Sequence, residues 1–118
     1  MLHVYGIKNC NTVKKALDWV KENQIEFTFH DYKKESAQES KLKEWQKKVS
    51  WEELVNRKGT TWKKLTPEQQ AAVVDEASAR EVLLQNNSMI KRPVIEVENE
   101  LILGFNEDTY KQKLANLW

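Results

Sequence analysis

The opening thirty residues carry the pattern that most narrows the choice of fold. Leu2 to Tyr5 is a short apolar run closed by Gly6, and Val13, Ala16, Leu17 and Val20 then recur at the i, i+3, i+4, i+7 spacing of one buried helix face. After Glu22-Asn23, the residues Ile25, Phe27 and Phe29 alternate with Glu26, Thr28 and His30, the period of two expected of a strand with one buried face. Strand, helix and strand within about thirty residues predict two parallel strands joined by a right-handed crossover.

The middle of the chain changes character. Residues 36 to 87 hold helix-start signatures and almost no strand pattern. Ser36-Ala37-Gln38-Glu39 predicts one helix with Leu42, Trp45 and Val49 on a face. Ser50-Trp51-Glu52-Glu53 predicts a second, carrying Trp51, Leu54 and Val55 and stopping near Gly59. Thr66-Pro67-Glu68-Gln69 joins a capping residue to proline at the first helical position, and Ser78-Ala79-Arg80-Glu81 opens a fourth helix running through Val82, Leu83 and Leu84 to Asn86-Asn87-Ser88. Beyond Pro93, the runs Val94-Ile95 with Val97 and Leu101-Ile102-Leu103-Gly104 flank a turn at Glu98-Asn99-Glu100, which reads as a hairpin. Asn106 can cap a last helix with Glu107 and Asp108 in its first turn and Tyr110, Leu114 and Leu117 on its apolar face. The order βαβ, helices, ββα predicts an α/β fold: a small mixed sheet with helices packed on it, interrupted by a helical insertion at about 36–87, in a single domain spanning 1–118.

Composition removes several classes of function. At 118 residues the chain can bury one core without staples, and its single cysteine excludes an intramolecular disulfide or a multi-cysteine metal centre. Cysteine usage of this kind fits a reducing compartment, so the cytoplasm is the expected location. Nineteen Lys and Arg against eighteen Asp and Glu leave a net charge of +1, too little for a global field that would hold nucleic acid or an anionic membrane, and no apolar run approaches the ~18 residues of a membrane span. His3 and His30 are too few and too scattered to suggest a metal site. The five tryptophans mostly fall at helical spacing with other apolar residues, which reads as core packing.

Cys10 stands at the junction of the first strand and first helix, where unpaired backbone N–H groups and the positive helix end face outward and favour a thiolate. Lys8, Lys14 and Lys15 are close in sequence, and the same helix end suits the oxygens of an anion. A free cysteine is as often a small buried hydrophobe. Here the polar neighbours Asn9 and Asn11 and the loop-like Gly6-Ile7-Lys8 favour exposure. Two further basic elements stand out. Lys91-Arg92-Pro93 is either a simple strand start or, with a cis bond, a sharp turn presenting backbone groups to a ligand. Asn56-Arg57-Lys58-Gly59-Thr60-Thr61-Trp62 reads most simply as a helix C-terminus, although an arginine fork can also grip an oxyanion.

Taken together, Tyr5-Gly6-Ile7-Lys8-Asn9-Cys10, Asn56-Arg57-Lys58-Gly59-Thr60-Thr61-Trp62 and Lys91-Arg92-Pro93 resemble, in order and over nearly the whole chain, the arsenate reductase (ArsC)/Spx family of thioredoxin-fold proteins. Within it the chain looks most like the YffB-type group, proposed to be glutathione-dependent thiol reductases. The resemblance implies a four-stranded thioredoxin-type sheet with a helical insertion. It makes Cys10 the reacting cysteine, Arg57 and Arg92 oxyanion-binding arginines, and Pro93 the cis-proline of the fold. It also implies no bound cofactor, with glutathione as co-substrate, glutaredoxin as a possible partner, and a small-molecule or protein thiol as substrate.

The departures from the reductase pattern are informative. After the cysteine, arsenate reductases carry Gly-Thr-Ser-Arg; here Asn11-Thr12-Val13-Lys14 follows, so Asn9, Asn11, Thr12 and Lys14 would line the anion site with lysine in place of arginine. Where the reductases place a third arginine, Gly104-Phe105-Asn106-Glu107-Asp108 offers acids. Losing a bidentate fork and gaining negative charge weakens binding of a multiply charged oxyanion. Thiol reduction is therefore the leading expectation, arsenate reduction the first alternative, and an Spx-like regulator that binds RNA polymerase the second. Spx-type regulators often have a Cys-x-x-Cys switch; Val13 stands at the second position here.

Overall fold

The computed structural model describes residues 2–8, 10–98 and 100–114. The expectations placed on Asn9, Asn99 and Leu117 lie outside the described residues. In chain order the elements are β1 (Leu2–Gly6), α1 (Asn11–Glu22), β2 (Phe27–Asp31), α2 (Glu39–Gln46), α3 (Trp51–Leu54), α4 (Thr60–Lys63), α5 (Pro67–Ala71), α6 (Glu76–Gln85), a 3-10 turn (Asn87–Met89), β3 (Val94–Val97), β4 (Glu100–Leu103) and α7 (Glu107–Leu114). The chain divides into two compact units, Met1–Asp31 with Arg92–Trp118, and Tyr32–Lys91.

The first unit holds a four-stranded mixed sheet in the order β2-β1-β3-β4. Strands β1 and β2 are parallel, as the strand-helix-strand pattern requires, with Leu2 opposite Phe27 and Gly6 opposite Asp31. Strand β3 runs antiparallel to β1, Tyr5 opposite Val94, and closes the hairpin with β4. Alternate strand residues Leu2, Val4, Ile95, Val97 and Ile102 form one core with Ala16, Trp19 and Val20 of α1 and with Tyr110 and Leu114 of α7. Leu17, expected on the buried stripe, is only partly covered and packs against the edge of this core, while Trp19, which the stripe did not include, is buried in it. Val13, Ala16 and Val20 are buried as the stripe predicts, and Trp19, three residues beyond Ala16, lies on the same face. Gly6 lets α1 approach: a Cβ there would sit 2.9 Å from Val13 Cγ2, closer than real carbon contacts allow.

The end of β4 is tied down by a turn through Gly104, whose φ of 74° suits glycine. Its N–H donates to the Pro93 carbonyl at 2.9 Å, and its carbonyl accepts from the Tyr110 hydroxyl at 2.6 Å. Burial pushes the Tyr110 phenol above its ordinary range, and the ring packs edge-on against Trp19 and Phe105. Asn106 caps α7 as expected, its side chain accepting from the Thr109 N–H at 3.0 Å. Tyr110→Phe leaves the Gly104 carbonyl without its donor in a buried place, so it should cost about 1–3 kcal/mol in a urea unfolding titration. An unchanged midpoint would show that the hydroxyl is dispensable.

The second unit is helical, and helices α2 and α3 both pack on α6. Three boundaries differ from the expectation. Ser36 does not cap α2: Gln38 takes the cap position, and the N–H of Ala37 is bound by Asn87 Oδ1 at 2.9 Å, which draws the preceding chain away from the helix. Ser50 does cap α3, accepting from Glu52 N–H, but that helix ends at Leu54 rather than near Gly59. Val55 instead pairs antiparallel with Ile90, flanked by Lys91 N–H to Leu54 O at 2.7 Å and Asn56 N–H to Met89 O at 2.8 Å, so backbone pairing outcompetes another helical turn. The freed segment starts the unforeseen α4, capped by Gly59.

The capping box of α5, Thr66 with Gln69, forms as predicted. Helix α6 begins three residues before the expected start, because Asp75 is its cap and Ser78 is the reciprocal partner inside the first turn. Asp75 Oδ1 accepts from the Ser78 N–H at 2.8 Å, and this bond, with help from the Ser78 hydroxyl, holds the Asp75 carboxyl below the usual carboxylate range. A carboxyl with a lowered native pKa contributes stability that is complete above the ordinary carboxylate value, about pH 4, and is lost as the pH falls through the lower native value. Asn is a comparable cap that does not titrate. The stability difference between wild type and Asp75→Asn should therefore narrow on acidification from about pH 5, measured by urea unfolding. A difference that stayed constant or widened would contradict this role. Buried Gln46 joins α2 to α6 by donating to the Glu76 carbonyl at 3.0 Å and accepting from Arg80 Nη1 at 2.8 Å.

Candidate active site

The register of the sheet decides which candidate residues can meet. Because Tyr5 lies opposite Val94 and Val94 opposite Leu103, the carboxyl ends of β1 and β4 and the start of β3 share one end of the sheet. Cys10 lies just beyond β1 and Arg92-Pro93 just before β3, so the structure brings these two motifs to the same end.

Cys10 is the N-cap residue of α1, in extended conformation at φ −108° and ψ 125°, and its carbonyl accepts the Lys14 N–H at 2.9 Å. Its side chain makes no capping hydrogen bond, and the residue is partly exposed. The first turn of α1 contains no acidic residue, so the positive end of a twelve-residue helix is not offset there. The residue thus stands partly exposed at a helix start, where backbone N–H groups have no partner within the helix and suit an anion. Lys8, Asn11, Thr12 and Lys14 are all exposed around this end of the helix.

The Arg92–Pro93 peptide is cis, the sharper of the two alternatives the sequence allows. Pro93 is buried and bonded through its carbonyl to Gly104. Among the described residues, Arg92 Nε is a buried donor without an acceptor. An unmet buried donor is unfavourable unless something supplies the acceptor, and an oxyanion or carboxylate does so best for a guanidinium.

Arg57 belongs to the second unit, in the stretch that left the expected helix. It is exposed, with its guanidinium carbon 5.8 Å from the Trp51 ring centroid and 5.7 Å from that of Trp62. Core packing was the expectation for these tryptophans; both are only partly buried and both face a cation. Spacing alone held no signal for this, because the contact depends on α3 stopping at Leu54.

The histidines are not scattered in space. His3 Nδ1 and His30 Nε2 are 2.9 Å apart across β1 and β2, with ring centroids 5.1 Å apart, and Tyr5 stacks on His30 at 4.3 Å. Parallel register carries residues 27 positions apart onto one face of the sheet, a link that sequence distance conceals.

A parallel strand-helix-strand joined to an antiparallel hairpin and helix, with a cysteine capping the first helix and a cis-proline before the third strand, defines a thioredoxin-like protein. The sequence model of the ArsC family matches residues 5–113, and the chain belongs to the ArsC family. An uncharacterized protein of Haemophilus influenzae is 41% identical over 115 residues, covering 98% of this chain and 100% of the relative. The structure of the YFFB (PA3664) protein is similar, with TM-score 0.91 and 41% identity over 100% of each chain. An arsenate reductase (ArsC) related protein from Brucella melitensis matches with TM-score 0.76 and 46% identity over 96% of this chain and 93% of that one.

Proposed function

We propose that the chain is a monothiol oxidoreductase that uses glutathione. In the first step the Cys10 thiolate attacks one sulfur of a substrate disulfide, R–S–S–R′; a Cys10–S–S–R bond forms and R′–S⁻ leaves. Glutathione thiolate then attacks the R sulfur of the mixed disulfide, so that a G–S–S–R bond forms and the Cys10 thiolate leaves; where the substrate is a glutathione mixed disulfide, R is glutathionyl, R′ is released as the reduced thiol and the oxidised product is glutathione disulfide. With one cysteine in the chain, the second thiol must come from outside. The observation that carries this reading is the placement of Cys10, a partly exposed helix cap whose sulfur is not used for capping. Arg92, at the same end of the sheet with its unmet Nε–H, supplies a donor for a carboxylate of glutathione.

Arsenate is the weaker substrate in this reading. Lys14 replaces a guanidinium fork with a point charge, and Glu107 and Asp108 stand exposed in the first turn of α7, where a third arginine would otherwise follow the hairpin. The test is steady-state oxidation of glutathione with either a small mixed disulfide or arsenate as the oxidant. Turnover should be seen with the disulfide and be far slower with arsenate; the reverse order would make the protein an arsenate reductase. A complex with RNA polymerase formed equally by wild type and Cys10→Ser, without thiol turnover, would replace both enzymatic readings with an adaptor.

A further inference from the structure

Strand alternation sorts the sheet residues of the first unit by face. Leu2, Val4, Ile95 and Val97 turn into the core with α1 and α7, so His3, Tyr5 and Glu96, which alternate with them, stand on the opposite face. Register sets Glu96 across from His3 on one side and His30 across from Tyr5 on the other. Both histidines are half-buried, with His3 Nδ1 facing His30 Nε2 at 2.9 Å. The Tyr5 ring lies almost parallel to that of His30, at an interplanar angle of 11°, and limits its rotation. Its hydroxyl donates to Glu96 Oε1 at 3.5 Å, which brings a carboxylate onto the same face. A hydrogen bond between two imidazoles requires a lone pair on one facing nitrogen, and the donor ring gains a second one there when its proton moves to its other nitrogen. Two neutral imidazole nitrogens that converge in this way are a bidentate ligand for cations of the zinc class. Zinc–nitrogen bonds of ~2.0–2.1 Å in a tetrahedral shell set the two nitrogens roughly 3.3 Å apart, a few tenths of an ångström wider than their present contact. Among the described residues no cluster of three His, Cys, Asp or Glu forms, so water fills the rest of the shell.

We propose that His3 and His30 together bind a divalent cation of the zinc class, through Nδ1 of the first and Nε2 of the second, clamping the edge strand β2 to β1. The site is separate from the thiol chemistry and uses neither Cys10 nor Arg92. The nearby Glu96 carboxylate adds a charge that favours the cation. The test titrates the untagged full chain with zinc chloride, with affinity read by calorimetry. Wild type and Cys10→Ser should bind zinc equally. Removing even an outer partner of a metal ligand costs 10–100-fold, so His3→Gln and His30→Gln, which each remove a ligand, should weaken binding by at least about tenfold. A second measurement needs no variant: the chain has two histidines, so the imidazole C–H signals in the NMR spectrum of wild type report on each ring separately. Both rings should respond to zinc with one shared midpoint.

Binding that is undiminished in either glutamine variant, or lost in Cys10→Ser, would place the cation elsewhere and overturn the proposal. So would ring signals that stay still on addition of zinc, or that move with different midpoints.

Discussion

Cys10→Ser should reduce glutathione-dependent disulfide turnover to the uncatalysed background while leaving the fold at least as stable as wild type. The two halves of this result have separate causes. Sulfur is the only atom in the chain that can carry the thiol exchange, since no second cysteine is present to substitute for it. Serine oxygen is a poor replacement at a disulfide sulfur. At the same position, however, serine is among the favoured N-cap residues, whereas the Cys10 side chain makes no capping bond. The substitution should thus raise stability by up to ~1 kcal/mol as a hydroxyl takes over a free N–H of α1. Activity and unfolding measured on the same preparation separate the possibilities. Residual turnover in the serine variant would move the chemistry away from Cys10, and a large drop in stability would mean that the sulfur is a packing group.

Trp45→Ala should produce the largest loss of stability among single substitutions in the helical unit. Trp45 is completely buried on α2, beside buried Leu42 and Gln46. Removing an indole from such a place forfeits its transfer energy and leaves a cavity, which together cost about 3–5 kcal/mol. Proteins of this size are stable by only about 5–15 kcal/mol, so the variant would be near its unfolding threshold at room temperature. Urea titration followed by far-ultraviolet circular dichroism measures the effect. A loss below ~1 kcal/mol would show that α2 can collapse around the gap.

The difference in legibility between the two units has a physical basis. In the first unit long-range order was already encoded locally: the period of two that marks β2, although that strand starts at Phe27 rather than at Ile25, the 3.6 period of α1 and the apolar runs of the Pro93-led hairpin are all signals of near neighbours in the chain. In the second unit the helices are short, three of them four or five residues, and their ends are set by competitors from elsewhere in the chain. Asn87 claims Ala37, and Ile90 claims Val55. Neither competitor can be weighed until residues 87–90 have been placed.

Among the candidate residues, local placement was legible and placement by tertiary contacts was not. Cys10 was legible because a strand followed by a helix cap is a local arrangement, and Pro93 because proline marks a strand start. The tryptophans around Arg57 and the His3–His30 pair were not, since both depend on a register or a helix end fixed by tertiary contacts.

The central claim is that Cys10 forms a mixed disulfide with glutathione. Intact-protein mass spectrometry after incubation of the reduced chain with glutathione disulfide tests it directly, followed by peptide mapping of the product. A single glutathione adduct, located on Cys10, released by added glutathione and absent from Cys10→Ser, is the predicted outcome. A protein that stays unmodified while remaining folded would contradict the claim.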